Sequence, residues 1–275
     1  MNRAKIQSLF LKSAVYIAVT LTTSALLFII VYILVKGLPH LSFELFNPEY
    51  TTENLSLFPA MVNTVILTLL SLALAAPLGI FSAIYLVEYA KRGNRLVAVV
   101  RTTAETLSGI PSIVYGLFGY LLFVVYLGWG YSILAGAFTL GIMILPVIMR
   151  TTEEALKSIP DAYREGSFGL GAGKLRTVFR IVLPSAVPGI LAGIVLSVGR
   201  IVGETAALIY TAGTVAKIPD NLFSSGRTMS IHMYALWKEG LHANQSYATA
   251  VVLLIVVIGL NALSAFIAKR LKLLK

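Results

Sequence analysis

The chain contains no cysteine. Disulfides, thiolate metal sites and cysteine nucleophiles are therefore excluded. Charge is scarce: Asp, Glu, Lys and Arg make up 12% of the 275 residues, against about 25% in soluble domains. Acid is scarcer still, 12 Asp and Glu against 22 Lys and Arg. Histidine is limited to His40, His232 and His242. An integral-membrane enzyme acting on lipids would need acids or histidines clustered at one interface, and no such cluster is visible, nor is any metal-ligand set. There is no internal period of 20–50 residues and no low-complexity tract. What the chain does have is apolar sequence, 57% of it, and this reads as an integral membrane protein. The net charge of +10 is spread between apolar runs rather than gathered into one patch, which argues against nucleic acid as a partner.

A spanning helix needs about 20 apolar residues. Ser13 to Val35 is free of charge and too long for a signal-peptide core; it is span 1. Span 2 lies within Asn54 to Val87. Thr106 to Met149 is charge-free for 44 residues, about 66 Å of helix and so two crossings, with the turn at Gly128–Gly130; these are spans 3 and 4. Span 5 is expected from about Pro188 to Ala216 and span 6 from about Tyr247 to Ala268. Six spans put both termini on one side. That side collects 17 Lys and Arg and the other 4, with Arg200 inside span 5. The positive-inside rule then makes both termini cytoplasmic. The expected organisation is a cytoplasmic segment at 1–12, one all-α transmembrane domain at 13–268 and a basic tail at 269–275.

The longest inner loop, about 150–187, contains Gly169, Gly171 and Gly173 followed by Lys174. This is not a phosphate-binding P-loop: G-x-x-x-x-G-K-[ST] would need glycine at Phe168 and a hydroxyl at Leu175. The loop reads as two short helices. Ser158 is the expected N-cap of the first, which runs through Tyr163 and Arg164 to about Phe168 and is stopped by the glycines. The second starts at Lys174 and carries Leu175, Val178, Phe179 and Val182 at helical spacing. Pro184 and Pro188 are expected to redirect the chain into span 5. On physical grounds alone this is an amphipathic loop at the interface.

The spacing of Glu165, Gly166, Ser167, Gly171, Ile181, Leu183 and Pro184 resembles the EAA loop of ABC-importer permeases, with Gly166-Ser167 where that family usually has two alanines. "LSGIPSIVYGLFGY" (107–120) and "GRIVGETAALIYTAG" (199–213) resemble signatures of the phosphate-importer (Pst) permeases. "RTTEEAL" (150–156) and "RTMSIHMYALW" (227–237) are more similar to the PstA-type subunit than to its PstC-type partner. The resemblance implies six helices in the type I ABC-importer arrangement, in the bacterial cytoplasmic (inner) membrane. It implies no catalytic residue, metal or cofactor on this chain. ATP and Mg would sit on two PstB-type ATPase subunits docked at the loop, beside a PstC-type permease, a PstS-type binding protein outside and membrane lipid.

Three sets of residues are candidates for the substrate path. Arg200 in a span is costly unless it faces protein or a cavity. Helical geometry puts Arg200 and Glu204 in one sector with the small-residue stripe Gly189, Gly193, Ser197. Two readings stand: a structural i, i+4 ion pair, or an anion relay in which the planar fork of Arg200 meets phosphate and Glu204 orients it or accepts a phosphate proton. Arg150, at the inner mouth, is either a positive-inside anchor or, as the resemblance implies, an exit-side contact. Gly109-Ile110-Pro111 breaks span 3. Pro111 then sits in the first turn of a restarted helix whose free amides, Ser112 and Ile113, either face an anion or belong to a plain kink. Another oxyanion, sulfate or molybdate, remains an alternative substrate; a fully ionised sulfate gives Glu204 no proton to accept. A secondary transporter is disfavoured, because there is no second set of intramembrane charges and no inverted repeat.

Overall fold

The computed structural model describes residues 3–91, 93–240 and 242–273. Arg92 and Lys275, counted above among the inner-side cations, lie outside the described residues, as do the ends of the two terminal segments. The described chain is all helical. In order it comprises α1 (Arg3–Gly37), α2 (Phe58–Ile84, extended by a π turn at Tyr85–Tyr89), α3 (Arg95–Ser108) and α4 (Ser112–Gly119, continued as a π turn to Tyr126). Then follow α5 (Ile133–Lys157), α6 (Asp161–Gly169), α7 (Lys174–Thr177), a π turn at Val178–Val182, α8 (Leu183–Val202), α9 (Ala206–Ile209), α10 (Met229–Glu239) and α11 (Ala243–Leu273). Five stretches are long and apolar enough to cross a bilayer, and the bent pair α3–α4 brings the possible number to six.

Burial identifies the centre of the bundle. Two thirds of the apolar window of α5 is buried, against none in α1. Small residues let the backbones approach. A Cβ at Gly79 of α2 would stand 2.9 Å from Ile148, and one at Gly136 of α5 would stand 3.3 Å from Leu67, so α2 and α5 run parallel. On α8, Gly189 meets Ala155 and Gly193 meets Thr151, so α8 runs antiparallel to α5. The stripe Gly189, Gly193, Ser197 is therefore the packing face that its spacing predicts. Leu67, Leu140, Met143, Ile144, Ile148, Ile201 and Leu208 fill the space between these helices.

Several expectations need correction. Span 5 does not start at Pro188 and end at Ala216: one continuous helix runs from Lys174 to Val202. Pro184 and Pro188 do not redirect it. The π turn at Val178–Val182 comes first, and Pro184 follows directly on its i, i+5 bond from Leu183 to Val178, a register shift that already leaves one i, i+4 bond unmade where proline has no amide to give. Ser158 is the C-cap of α5, its hydroxyl donating to the Ala155 carbonyl, and Pro160 is the N-cap of α6. Pro111 likewise caps α4 instead of entering its first turn. The turn at Gly128–Gly130 is where it was expected, both glycines having positive φ.

At the far end of the bundle the segment before α2 is tied to the loop before α10. The Arg227 guanidinium lies 4.5 Å from the centre of the Tyr50 ring, and Asn63 donates to the carbonyls of Lys217 and Arg227. His232 packs edge-on against the same Tyr50. Burial, and then the nearby Arg227 charge, hold its pKa down to about 3, so it stays neutral at physiological pH.

Candidate functional site

One candidate crossing is broken and another stops short, and the two interruptions lie together. The first is at Gly109–Pro111, where α3 turns into α4 through 102°. The second is at Gly203–Thr205, between α8 and α9. Beyond them α4 lies against α9 so closely that a Cβ at Gly116 would stand 2.8 Å from Ala207 Cα. The depth of the second break follows from the register of α8 on α5. With Gly193 opposite Thr151 and Gly189 opposite Ala155, Arg200 falls level with Ile144, close to the midpoint of the 25-residue α5. Discontinuous helices whose ends meet near the bilayer midplane are a recurrent way of presenting polar groups to a transported ion.

Arg200 occupies the last turn of α8, where a cation is favoured by the helix dipole. It is partly exposed and makes no ion pair or side-chain hydrogen bond among the described residues. Its place in that last turn, three residues before Gly203, puts it beside the break between α8 and α9. Glu204 does not pair with it. The helix ends at Val202, so the i, i+4 relation expected from the sequence is not realised. The buried carboxylate turns instead to α9, where Oε1 accepts from the Ala207 amide at 3.0 Å. Ser230 donates to the Glu204 carbonyl, fixing the break to the start of α10. Ser112 and Ile113 open α4, and the first helical hydrogen bond there is Val114 N–H to Pro111 C=O. Ile113 lines a cleft with Thr205, Ala206 and Tyr210. Arg150 lies apart, about 10 Å further along α5 at 1.5 Å per residue; it is exposed and pairs with Glu154 at 3.2 Å.

The second candidate region is the α6–α7 loop. Gly171 has φ +81°, a conformation that glycine adopts without strain. A Cβ at Gly166 would meet nothing within 4 Å, so glycine there is not a packing requirement. Ser167 is buried and its hydroxyl bonds that of Thr177 at 2.8 Å, closing α6 onto α7. Val178 and Val182 enter the core, whereas Tyr163, Phe168, Leu170 and Leu175 are left exposed. Leu183 packs against the inner core cluster, and Pro184 is exposed.

What anchors this loop escaped the sequence reading. Arg164 of α6 reaches Glu88 at the end of α2, Nη2 to Oε1 at 2.7 Å and Nε to Oε1 at 3.1 Å. It also donates to the carbonyls of Leu156 and Ile159 and to Asp161. The pair is largely buried, Arg164 being 15% and Glu88 6% exposed. Beside it, the buried Glu153 pairs with both Arg101 and Lys157. Glu88 did leave one signal: it is the only acid between Glu53 and Glu105, at the end of an apolar run.

Known proteins agree with this architecture. Residues 75–273 match the family of binding-protein-dependent transport system inner membrane components. The chain is 34% identical over 225 residues to a probable ABC transporter permease, YqgI of Bacillus subtilis, covering 76% of each. It is 33% identical over 268 residues to the phosphate transport system permease protein PstA of Pasteurella multocida, covering 91% of this chain and 92% of that one. Its fold is similar to a chain of a bacterial alginate ABC transporter, solved with a periplasmic protein bound to an alginate pentasaccharide. That match has a TM-score of 0.63 at 22% identity and covers 94% of this chain and 96% of the other. The chain belongs to the binding-protein-dependent transport system inner membrane component family, the multi-pass membrane permeases of ABC importers.

Proposed function

We propose that this permease imports inorganic phosphate across the bacterial inner membrane, as one of two homologous subunits that enclose the pathway. The observation that carries the reading is an unpaired arginine at the meeting point of two interrupted helices. Its planar fork of donors suits a tetrahedral oxyanion, and relatives of this chain are named phosphate transport permeases. Glu204 sits at the same break with Oε1 engaged on α9, leaving Oε2 to accept a hydrogen bond donated by a protonated phosphate oxygen. The first amides of α4 after Pro111, those of Ser112 and Ile113, add donors to the same region. Arg150 is an exit-side contact nearer the end of α5.

The remaining roles follow from chemistry that this chain lacks. Without a P-loop, ATP and Mg belong to two PstB-type ATPase subunits. The α6–α7 loop, with Tyr163, Arg164, Glu165, Gly166, Ser167 and Gly171 before Leu183-Pro184, meets them as a coupling element. A PstC-type subunit completes the pathway, and a PstS-type protein delivers phosphate to the outer face near Tyr234 and Trp237, which are both exposed. ATP-driven rocking of the two permeases then alternates access.

Phosphate uptake into proteoliposomes containing the assembled transporter tests the substrate. Uptake should require ATP and the binding protein and should persist in excess sulfate or molybdate. Equal competition by sulfate would replace phosphate with a broader oxyanion reading. The orientation has its own test, made simple by the absence of native cysteine. A cysteine placed at exposed Asn221 should react with an impermeant maleimide from outside in intact cells. Reaction only from the cytoplasmic side would reverse the assignment of both termini.

A further inference from the structure

The ends of α2 and α5 lie at the same face of the bundle, and between them and α6 opens a cleft of about 920 Å³. Six basic side chains line it, Lys91, Arg95, Arg101, Lys157, Arg164 and Lys174, against two acids, Glu88 and Asp161. Arg164 is matched by Glu88 and Asp161, and Arg101 and Lys157 share Glu153. Lys91, Arg95 and Lys174 have no carboxylate partner among the described residues; Lys174 Nζ lies only over the Tyr89 ring, at 5.2 Å. The positive-inside rule accounts for cations on this face of a permease, but not for three unmatched ones converging on one concave site.

The position of the cleft identifies its occupant. The 102° bend at Gly109–Pro111 means that α3 runs along the membrane plane if α4 runs across it. It has the composition of an interfacial helix. Leu96, Val99 and Val100 form one exposed apolar strip, while Val97 packs inward and Arg95, Thr102 and Glu105 lie on the polar side. The cleft opens at the first turn of this helix, so a molecule seated in it has cations at one end and exposed apolar side chains at the other. On α2, Leu78, Phe81 and Tyr85 extend the apolar surface from the same end. We propose that this cleft binds the phosphate headgroup of an anionic phospholipid, with its acyl chains laid along α3 and α2. Basic pockets between helices at a membrane face suit such headgroups. The site is distinct from Arg200, and the proposal does not depend on which substrate the permease carries.

The test is lipid retention by the assembled transporter, stripped of lipid in detergent and titrated with phosphatidylglycerol or with phosphatidylcholine of the same chains, read by native mass spectrometry. The wild-type complex should bind phosphatidylglycerol at least about tenfold more tightly, and millimolar inorganic phosphate should not displace it. The triple variant Lys91→Gln, Arg95→Gln, Lys174→Gln should lose the preference while keeping its subunits; should it assemble poorly, Arg95→Gln alone should weaken it. No preference in the wild type, or an unchanged preference in assembled variants, would overturn the proposal. Displacement by inorganic phosphate would make free anion the occupant. Loss of the ATPase subunits with lipid retention unchanged would make the cleft a protein contact.

Discussion

Replacing Glu88 with alanine should cost the folded permease about 3 kcal/mol or more, because it leaves the Arg164 guanidinium largely buried without its carboxylate. Arg164 retains the Leu156 and Ile159 carbonyls and, of its two carboxylate partners, only Asp161, which is exposed and screened by solvent and so replaces the buried Glu88 charge only weakly. Glu88→Gln should be milder, since an amide oxygen still accepts from Nη2 or Nε. The double substitution Glu88→Leu with Arg164→Leu should recover much of the stability, as buried ion pairs replaced by apolar side chains commonly do. It should not recover transport. The pair fixes α6 to the end of α2 across 76 residues of sequence, and a coupling element that is free to shift cannot pass a movement from an ATPase to the bundle. Thermal unfolding of the purified complex separates the two effects from substrate uptake normalised to assembled protein. A stable Glu88→Ala complex with full uptake would show that the latch matters for neither.

That latch marks the limit of what the sequence made readable. The apolar runs reveal the spans, the glycines the C-terminal end of α6, and Gly109-Pro111 the break in span 3, because each is written in neighbouring residues. The second break was hidden within a long apolar stretch. Gly203-Glu204-Thr205 lies inside 188–216, and hydropathy does not distinguish an unbroken helix from one that ends at Val202 and resumes at Ala206. Helical periodicity carried past that end then put Glu204 on the face of Arg200. Pro184 misled in the other direction: it looked like a breaker, yet it occupies a first turn prepared by the preceding π turn. Glu88 and Arg164 meet only because α2 and α5 run parallel and bring their ends together, a relation that no local pattern states. The departure at Gly166-Ser167, by contrast, has a local reason for one residue. Ser167 is kept by its bond to Thr177, while Gly166 has room for a methyl group.

Arg200→Ala should reduce phosphate uptake by about 100-fold or more with assembly unchanged. A charge-assisted hydrogen bond contributes about 1.5–3 kcal/mol, and a guanidinium that meets an oxyanion with two donors loses both on truncation. Arg200→Lys keeps the charge but not the fork, so about a tenfold loss is expected rather than a neutral result. Folding should tolerate either change, since Arg200 has no ion partner to strand. This differs from Glu88, whose removal strands Arg164. Glu204→Gln should have the smallest effect, because an amide oxygen still caps α9 at the Ala207 amide; the loss that remains measures what the second carboxylate oxygen adds. The measurement is initial uptake at saturating and limiting phosphate, normalised to assembled complex. If Arg200 binds the ion along its path, the lysine variant falls most at limiting phosphate. Uptake by Arg200→Ala within a factor of about 2 of wild type, in a complex of normal stability, would remove this residue from the pathway and leave the double break as a structural joint alone.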